Sequence, residues 1–563
     1  MYTRNLQVRI RITRPAVMDR RSEPDSTGVT ATTPNVSGPT RSRALGASSL
    51  VTLGILASRI TGFVRDRVFA HFFGISVVAD VFRAALRIPN LLSNLFGEGV
   101  LSASFVTVYA KLRALKEDQE AEHLAEAIFG ILTLVCAAMV LAGVLLTPIL
   151  IDFIAPGFRG AERELTIRVV RVLFPGSGFL VMSAWCLGIL NSHRKFLLSY
   201  LAPVAWSATM IVALELFGGH GTLPQLAIQL AWAAVLGAAL QFLVQLPKVL
   251  EILPALRPSL DTSSVHVRTV IRNFGPIFLS RGVVQISAYV DQIIGSYLPH
   301  GAISALSYAQ TIAVLPVSLF SMSVSAAELP TLSSAVGNQE EVAAFLRRRL
   351  TSGLRRIAYF VIPSAAAFLI LGDVLAAGIY QTGQFVHGNA VYVWGVLAGS
   401  AVGLLATSLG RLYSSAFYAL LDTKTPLRFA VVRIALTTAL GAVCALLLPG
   451  WLGIDARWGV AGLTASAGVA GWVEFLLLRR GLSRRIGATP LPAGFAAKLW
   501  FTALVGAALG YSIKRSLGVF GANHPISLAI LVCAVYGAVY AGGTWLLGVE
   551  EARGTVRSVL RRL

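Results

Sequence analysis

The sequence predicts an all-α polytopic membrane protein with about fourteen transmembrane helices, arranged as two six-helix lobes plus two C-terminal helices. Of its 563 residues, 55% are hydrophobic and only 13% are charged, and the mean hydropathy is +0.71. A soluble domain of this length does not need so much apolar surface. The apolar residues form runs of about 20, the length that crosses a bilayer as a helix. The basic residues lie mostly in short segments between these runs.

The chain begins and ends with polar segments. Residues 1–44 are Arg-rich, contain four prolines and lack the apolar stretch of a signal peptide, so we expect a disordered, basic cytoplasmic tail. The N-terminal lobe, helices 1 to 6, is expected at 45–250, and the C-terminal lobe, helices 7 to 12, at 266–480. Helices 13 and 14 follow at 493–548, and 549–563 forms a second cytoplasmic tail.

Each predicted span is a predominantly apolar run long enough to cross the bilayer. In chain order, these spans are 48–74, 78–110, 124–153, 166–190, 196–217, 223–248, 268–298, 302–333, 353–378, 391–420, 427–449, 456–478, 494–513 and 526–548.

The loops between the spans alternate in charge. Basic segments follow the even-numbered helices, for example Arg347–Arg349 after helix 8 and Arg479–Arg480 after helix 12, whereas 218–223 and 381–389 contain no Lys or Arg. Because cytoplasmic loops are enriched in Lys and Arg, this alternation predicts that both termini are cytoplasmic. It also accounts for the formal net charge of +21 without nucleic-acid binding, which we do not expect.

A weak internal repeat supports the division into two lobes. Ser58–Arg59 in the first helix recurs as Ser280–Arg281 in the seventh, and Asp66 has a counterpart in Asp291, at offsets of 222 and 225 residues. Six helices separate the two members of each pair. Parallel repeats of this kind commonly build transporters around a central cavity.

The first two helices contain charged residues at membrane depth. A central arginine costs roughly 2.5 to 3.5 kcal/mol on insertion scales, so a group of them normally lines a water-filled cavity. Arg59 and Asp66 share one helix face, and Asp80, Arg83 and Arg87 form a stripe on the second helix. The predicted substrate-binding residues are Arg59, Arg65, Asp66, Asp80, Arg83, Arg87, Glu98, Arg281 and Arg411. Their cationic excess predicts a path for an anion, because arginine binds phosphate bidentately.

A purely structural interpretation stays open for some of these residues. Asp66 could neutralise Arg65, and Asp80 could neutralise Arg83, because buried pairs often fasten membrane helices. Four arginines have no acidic neighbour in sequence, and each could instead snorkel or bond to the backbone. These are Arg59, Arg87, Arg281 and Arg411.

The sequence gives no sign of enzymatic chemistry. It lacks a Gly-x-Ser-x-Gly motif, a Walker loop and any paired-Cys metal site. We therefore predict a transporter with no catalytic residue, no resident metal and no cofactor. The candidate energy sources are the membrane potential and a Na⁺ or H⁺ gradient. Asp291 is a possible cation contact, although one carboxylate is an incomplete site for a hard cation.

Several motifs together resemble the MurJ (MviN) family of lipid II flippases, within the multidrug/oligosaccharidyl-lipid/polysaccharide exporter superfamily. The strongest match is Ser58–Asp66, which reads SRITGFVRD, followed by Ala79–Asp80, Arg87–Leu92 and Phe96–Gly99. Weaker matches extend over nearly the whole chain after the tail, at Ala155–Phe158, Leu190–His193, Ala202–Pro203, Phe417–Ala419 and Asp422–Pro426.

The resemblance implies a flippase of the bacterial inner membrane that moves lipid II, or a related undecaprenyl-pyrophosphate-linked saccharide, to the outer leaflet. It implies functional cavity roles for Arg59, Arg65, Asp66 and Asp80, and a groove along helices 13 and 14 for the lipid tail. The expected partners are this substrate and membrane lipids, and the expected oligomeric state is a monomer.

Two departures from the family pattern leave the substrate open. Ser93 stands where the family usually has Arg, and Ala309–Thr311 reads Ala-Gln-Thr where the family usually has Ala-Asp-Arg; Arg87 or Arg281 could compensate. The alternatives are a flippase for another polyprenyl-linked oligosaccharide and a drug or solute antiporter of the same superfamily. A transferase acting on lipid carriers and a scaffold for cell-wall synthesis fit less well, because the loops and the C-terminal tail are short.

Overall fold

The computed structural model describes residues 41–254, 256–334, 338–518 and 523–554. Inside helices it leaves a few side chains undescribed. These are the side chains of 41–53, 92–93, 97–99, 102–103, 276–288 and 339. By backbone contacts, the described residues from Ser49 onward form one compact unit. The lobe boundaries expected from the sequence therefore remain predictions.

Within the described residues the chain is helical, with turns and loops between the helices. The helices are α1 Arg41–Phe73, α2 Val77–Asn94, α3 Thr107–Ala114, α4 Asp118–Ile154, α5 Ala161–Ser192, α6 Phe196–Phe217, α7 Leu223–Ile252, α8 Val265–Ser296, α9 Ala302–Pro316, α10 Ser323–Ser333, α11 Gln339–Ile370, α12 Gly372–Tyr380, α13 His387–Ala419, α14 Lys424–Ala442, α15 Leu448–Leu452, α16 Gly459–Ile486, α17 Ala493–Ser516 and α18 Pro525–Leu546. Wider π-helical turns join α2 to α3, α9 to α10 and α14 to α15, at Leu95–Val106, Val317–Met322 and Val443–Leu447.

The all-α membrane class is confirmed, whereas the exact number of spans stays a prediction. Eleven of the described helical stretches are long and apolar enough to cross a bilayer. The other three predicted spans correspond to α1, to α2 with α3, and to α8. In each of these three spans some side chains lie outside the described residues, so the count does not test them.

The ninth predicted span, 353–378, has the wrong limits. Helix α11 begins at Gln339, where Asn338 and Glu341 form a reciprocal capping box that fixes the helix start. It ends at Ile370, and the short helix α12 follows after Leu371. The arginine-rich part of α11 is predicted from the sequence to be a loop, because it is too charged for the membrane. The structure shows that the helix continues beyond the apolar stretch.

Packing within the compact unit follows the order of the helices. In the first half, α5 packs against α2, α4 and α7, and α6 packs against α7. In the second half, α13 contacts α9, α11, α12 and α16, and α14 lies on α16. Helices α17 and α18 pack on each other and reach the second half through α11 and α12. The two halves meet where α2 contacts α9 and where α4 contacts α8.

The Asp422–Pro426 motif starts α14. Asp422 accepts hydrogen bonds from the Thr425 backbone N–H at 3.0 Å and from Thr425 Oγ1 at 2.7 Å. Arg485 at the end of α16 donates to the same carboxylate at 2.6 Å. Burial alone would raise the pKa of Asp422, but these hydrogen bonds and the Arg485 charge lower it to about 2. The carboxylate therefore stays ionised at neutral pH and caps the helix.

Candidate functional site

A cavity of about 330 Å³ lies between α1, α6 and α9, and we call it the α1 cavity. One face of α1 supplies half of its lining because residues three, four and seven apart share a side of a helix. At Gly62 an added side chain would meet no atom within 4 Å, so the helix is open to the cavity there. The lining residues are Ser58, Arg59, Gly62, Phe63, Arg65, Asp66, Pro203, Trp206, Ser207, Thr311, Val314 and Leu315.

Arg59 is the exposed cation of this cavity. Its side chain lines the cavity and is exposed. Among the described residues, no ion pair or hydrogen bond of the Arg59 side chain is found. Its donors are therefore available to an anion entering the cavity, and its role in substrate binding remains a prediction. Its removal would leave no buried partner unpaired.

Asp66 holds two arginines together. Arg65 Nη2 lies 3.1 Å from Asp66 Oδ1, and Arg83 Nη1 reaches the same oxygen from α2 at 3.4 Å. Asp66 is only 5% exposed. Two positive charges face one negative charge, so the group keeps a net charge of +1. The Arg65 guanidinium also lies over the ring of Trp206, 4.8 Å from its centroid, which orients it along the cavity wall.

Arg83 lies behind Asp66 rather than in the cavity lining. Its guanidinium carbon is 4.4 Å from the ring centroid of Phe69 and 5.0 Å from that of Tyr308. Its Nε and Nη2 atoms are buried and have no hydrogen-bond partner among the described residues. Arg83 pairs with Asp66 and not with Asp80, so the second of the two sequence-neighbour pairs considered above is not formed. It adds positive charge behind the cavity wall.

Asp80 caps a helix of the other half. It is buried and accepts hydrogen bonds from the backbone N–H of Gly301 at 2.6 Å and of Ser304 at 2.7 Å. The Ser304 hydroxyl donates to the same carboxylate. These residues form the start of α9, where free N–H groups and the helix dipole favour a negative charge. The structure thus places Asp80 between the two halves and outside the lining of the α1 cavity.

Arg67 makes the complementary contact, and the sequence analysis missed it. Its Nη1 donates to the carbonyl oxygens of Gly378 at 3.1 Å and Ile379 at 2.5 Å. These carbonyls end α12, where a positive charge is favourable. In the sequence, the carboxylate next to Arg67 is Asp66, but Asp66 pairs with Arg65 and Arg83. The sequence therefore suggests no partner for Arg67. The acceptors are backbone atoms 311 and 312 residues away, and residue types do not reveal such partners.

Further contacts between the halves surround Asp80 and Arg67. Gln384 N–H donates to the carbonyl of His71 at 2.8 Å, and His71 Nδ1 lies 2.8 Å from Thr382 Oγ1. Tyr308 donates to the carbonyl of Gly74 at 3.1 Å. We call these contacts, with those of Asp80 and Arg67, the end seal. Beneath it lie the buried rings of Phe69, Phe73, Phe82, Tyr308, Tyr380 and Phe385, which close this end of the bundle.

Arg87 lies further along α2 and contacts the changed part of α9. Its Nη2 donates to Gln310 Oε1 at 3.0 Å, and its carbonyl accepts a hydrogen bond from Tyr289 at 2.9 Å. Gln310 belongs to the triplet in which this chain departs from the family pattern. The side chains of Ser93, Glu98 and Arg281 lie outside the described residues, so their predicted roles remain predictions.

A second polar group in the other half includes two residues that the sequence analysis missed. Arg433 Nη1 on α14 lies 3.3 Å from Glu474 Oε2 on α16, and Arg411 on α13 interacts electrostatically with both. Asp291 on α8 faces Arg433 and Arg87 in the same way. A cation at Asp291 would compete with these two guanidinium groups. Among the described residues, no group of three His, Cys, Asp or Glu side chains could hold a metal.

Comparisons with known proteins agree with this architecture. A family model described as lipid II flippase MurJ matches residues 69–528. The lipid II flippase MurJ of Burkholderia cenocepacia is 30% identical over 511 residues, which cover 88% of this chain and 96% of the relative. The probable lipid II flippase MurJ of Rhizobium tropici is 30% identical over 531 residues, with 91% and 96% covered.

Solved structures show the same fold. A lipid II flippase MurJ in an inward closed conformation superposes with a TM-score of 0.70 at 23% identity, covering 87% of this chain and 98% of that one. An inward-facing multidrug resistance MATE family transporter of the MOP superfamily gives a TM-score of 0.58 at 15% identity, covering 78% and 98%.

Apolar helices that enclose a cationic cavity and close over it at one end define a multi-pass membrane transporter, not an enzyme. The chain belongs to the MurJ family of lipid II flippases. The resemblance seen in the sequence is thereby confirmed.

Proposed function

We propose that this protein is a lipid II flippase, which moves an undecaprenyl-pyrophosphate-linked saccharide from the inner to the outer leaflet by alternating access. The observation that carries the proposal is the charge of the α1 cavity. Arg59 and Arg65 line it, and Arg83 stands behind it, whereas Asp66 is the one carboxylate in the lining. The names of the family and of its relatives supply the substrate class.

The cavity chemistry suits a diphosphate. Each guanidinium presents a planar set of donors that binds two phosphate oxygens at once. Arg59 offers free donors, and Asp66 with Trp206 holds Arg65 in place. A cationic drug, the substrate class of a multidrug antiporter, would instead need an acidic lining. The arginine excess therefore favours the lipid diphosphate over the antiporter alternative.

Opening of the end seal would produce the second, outward-open state of the proposed transporter. In the orientation expected from the loop charges, α1 runs outward, so the seal lies at the outer face of a bacterial inner membrane. Opening it would separate Asp80 from α9 and Arg67 from α12, and would release the headgroup outward. An inside-negative potential assists outward movement of an anion by about 2.3 kcal/mol per charge per 100 mV. We therefore propose the membrane potential as the energy source.

Complementation tests the function. The chain, expressed in bacteria depleted of their own MurJ flippase, should restore growth and cell shape and prevent lipid II from accumulating on the inner leaflet. A lack of growth despite normal membrane insertion would contradict the assignment to lipid II. Rescue of drug resistance without rescue of growth would favour the antiporter.

Topology provides a separate prediction. Single cysteines introduced at Gly219 and Gly388, in the loops expected outside, should react with a membrane-impermeant maleimide added to whole cells. A cysteine at Arg349 should react only after the cells are opened, because the positive-inside rule places this segment in the cytoplasm. Labelling of the Arg349 position from outside would invert the proposed orientation and place the end seal at the inner face.

A further inference from the structure

A cavity of about 710 Å³, open to the surface, lies between α11 and the C-terminal segment and belongs to no step of the proposed transport. One wall is the N-terminal part of α11. Its lining residues there are Arg347, Arg348, Thr351, Ser352 and Arg355, which share one face because they are spaced by three and four residues. The opposite wall is the C-terminal segment with Glu550 and Glu551.

The C-terminal segment is docked firmly on this wall. Arg355 makes a two-point ion pair with Glu551, with Nε to Oε1 at 2.7 Å and Nη2 to Oε2 at 3.2 Å. Lys498 on α17 donates to the carbonyl of Leu547 at 2.9 Å. Val549 and Ala552 are 3% and 1% exposed. The cavity is therefore a built part of the compact unit.

The charges in the cavity are unevenly paired. Arg355 forms an ion pair with Glu551, and its Nη2 also lies 3.3 Å from Glu550 Oε2. Arg347 and Arg348 are exposed, and among the described residues no carboxylate lies within ion-pair distance of either. Thr351 and Ser352 add hydroxyl donors one turn further along. Two free guanidinium groups beside two hydroxyls match the donor set that a phosphate oxygen requires.

The position of the cavity relative to the bilayer indicates that this phosphate belongs to a lipid. Helix α11 has 32 residues, so it is about 48 Å long, whereas the hydrocarbon core is about 30 Å thick. Its C-terminal part is the apolar stretch, and the arginine-rich N-terminal part must project beyond the hydrocarbon. In the proposed orientation this part lies at the cytoplasmic headgroup level, where basic pockets between helices bind anionic lipids.

We propose that this cavity binds the phosphate of an anionic membrane phospholipid, through Arg347 and Arg348, at the cytoplasmic face. Glu550 limits the affinity because its carboxylate, 81% exposed, faces the same space and repels the phosphate. The proposal rests on the proposed orientation and is independent of which lipid-linked saccharide is transported.

The test measures lipid binding to the full chain. Phosphatidylglycerol and phosphatidylcholine are titrated into the purified protein in detergent, and native mass spectrometry counts the bound lipids. Arg347→Ala and Arg348→Ala should each weaken phosphatidylglycerol binding by about fivefold. Arg349→Ala is the matched control, because Arg349 is also exposed on the same helix but lies outside the lining. This variant should bind phosphatidylglycerol like the wild type.

A variant that is expected to bind the lipid more tightly controls for damage to the fold. Glu550→Gln should bind phosphatidylglycerol more tightly than the wild type, a gain that misfolding cannot produce. If all three arginine variants lost phosphatidylglycerol binding equally, the binding would depend only on the general surface charge. That result would overturn the proposal. Equally tight binding of phosphatidylcholine, or displacement of the lipid by an equal concentration of inorganic phosphate, would also overturn it.

Discussion

Replacing Arg59 by alanine is expected to abolish complementation of a MurJ-depleted strain while the amount of protein in the membrane stays normal. Arg59 is exposed in the cavity and holds no described partner, so its loss leaves no buried group unpaired. If it binds the diphosphate, the variant loses a charge-assisted, bidentate contact, for which lysine substitutes poorly. Arg59→Lys should therefore restore growth only partly. Growth assays and immunoblots of membrane fractions measure both effects.

The control for Arg59 is an arginine of similar exposure away from the cavity. Arg272 on α8 is exposed and does not line the α1 cavity, so Arg272→Ala should complement like the wild type. Full growth of the Arg59→Ala strain would remove the main support for an anionic substrate. Loss of the Arg59→Ala protein from the membrane would instead assign this residue a structural role.

Replacing Asp66 by alanine is expected to lower the amount of folded protein severely. The reason is Arg83, whose guanidinium pairs with Asp66 and otherwise contacts aromatic rings. Removing one partner of a buried ion pair typically costs about 3 to 5 kcal/mol because the other charge remains. Arg65 is more exposed, and the double variant Arg65→Ala, Asp66→Ala should not recover, because Arg83 is still unpaired.

The second double variant separates folding from transport. Asp66→Ala combined with Arg83→Met removes both buried charges and keeps an apolar side chain between Phe69 and Tyr308. It should restore the protein level, measured by fluorescence-detected size-exclusion chromatography, but not growth, because Arg65 loses the carboxylate that orients it. Recovery of folded protein by the Arg65→Ala, Asp66→Ala pair would show that Arg65, and not Arg83, is the partner that matters.

How well the sequence predicted the fold and the site depended on the distance of each partner along the chain. Periodic apolar runs and loop charges predict the helical membrane class, since both properties are local. The pairing of Arg65 with Asp66 is also local. The sequence does not reveal that Asp66 also binds Arg83, that Asp80 caps α9 or that Arg67 binds carbonyls of α12. These contacts depend on tertiary packing, and two of the three involve backbone atoms that any residue supplies.

The limits of α11 were missed for a different physical reason. A hydropathy pattern detects only the part of a helix that lies in hydrocarbon, whereas the capping box at Asn338 and Glu341 marks the actual start. Arg433 and Glu474 could have been noticed, because each is a charge inside an apolar run. No adjacent residue of opposite charge drew attention to either of them. Their pairing across α14 and α16 becomes clear only in three dimensions.

The contacts of Asp80 and Arg67 bear on the fraction of molecules that adopt the open form. Both side chains complete helix ends, and helix ends can exchange such partners for water when the seal opens. Each cap contributes about 1 kcal/mol, so the two together favour the closed form by about 2 kcal/mol. A difference of that size leaves the open form at roughly 0.1 to 10% of the molecules before any ligand arrives. Substrate binding then only has to shift an equilibrium that already exists.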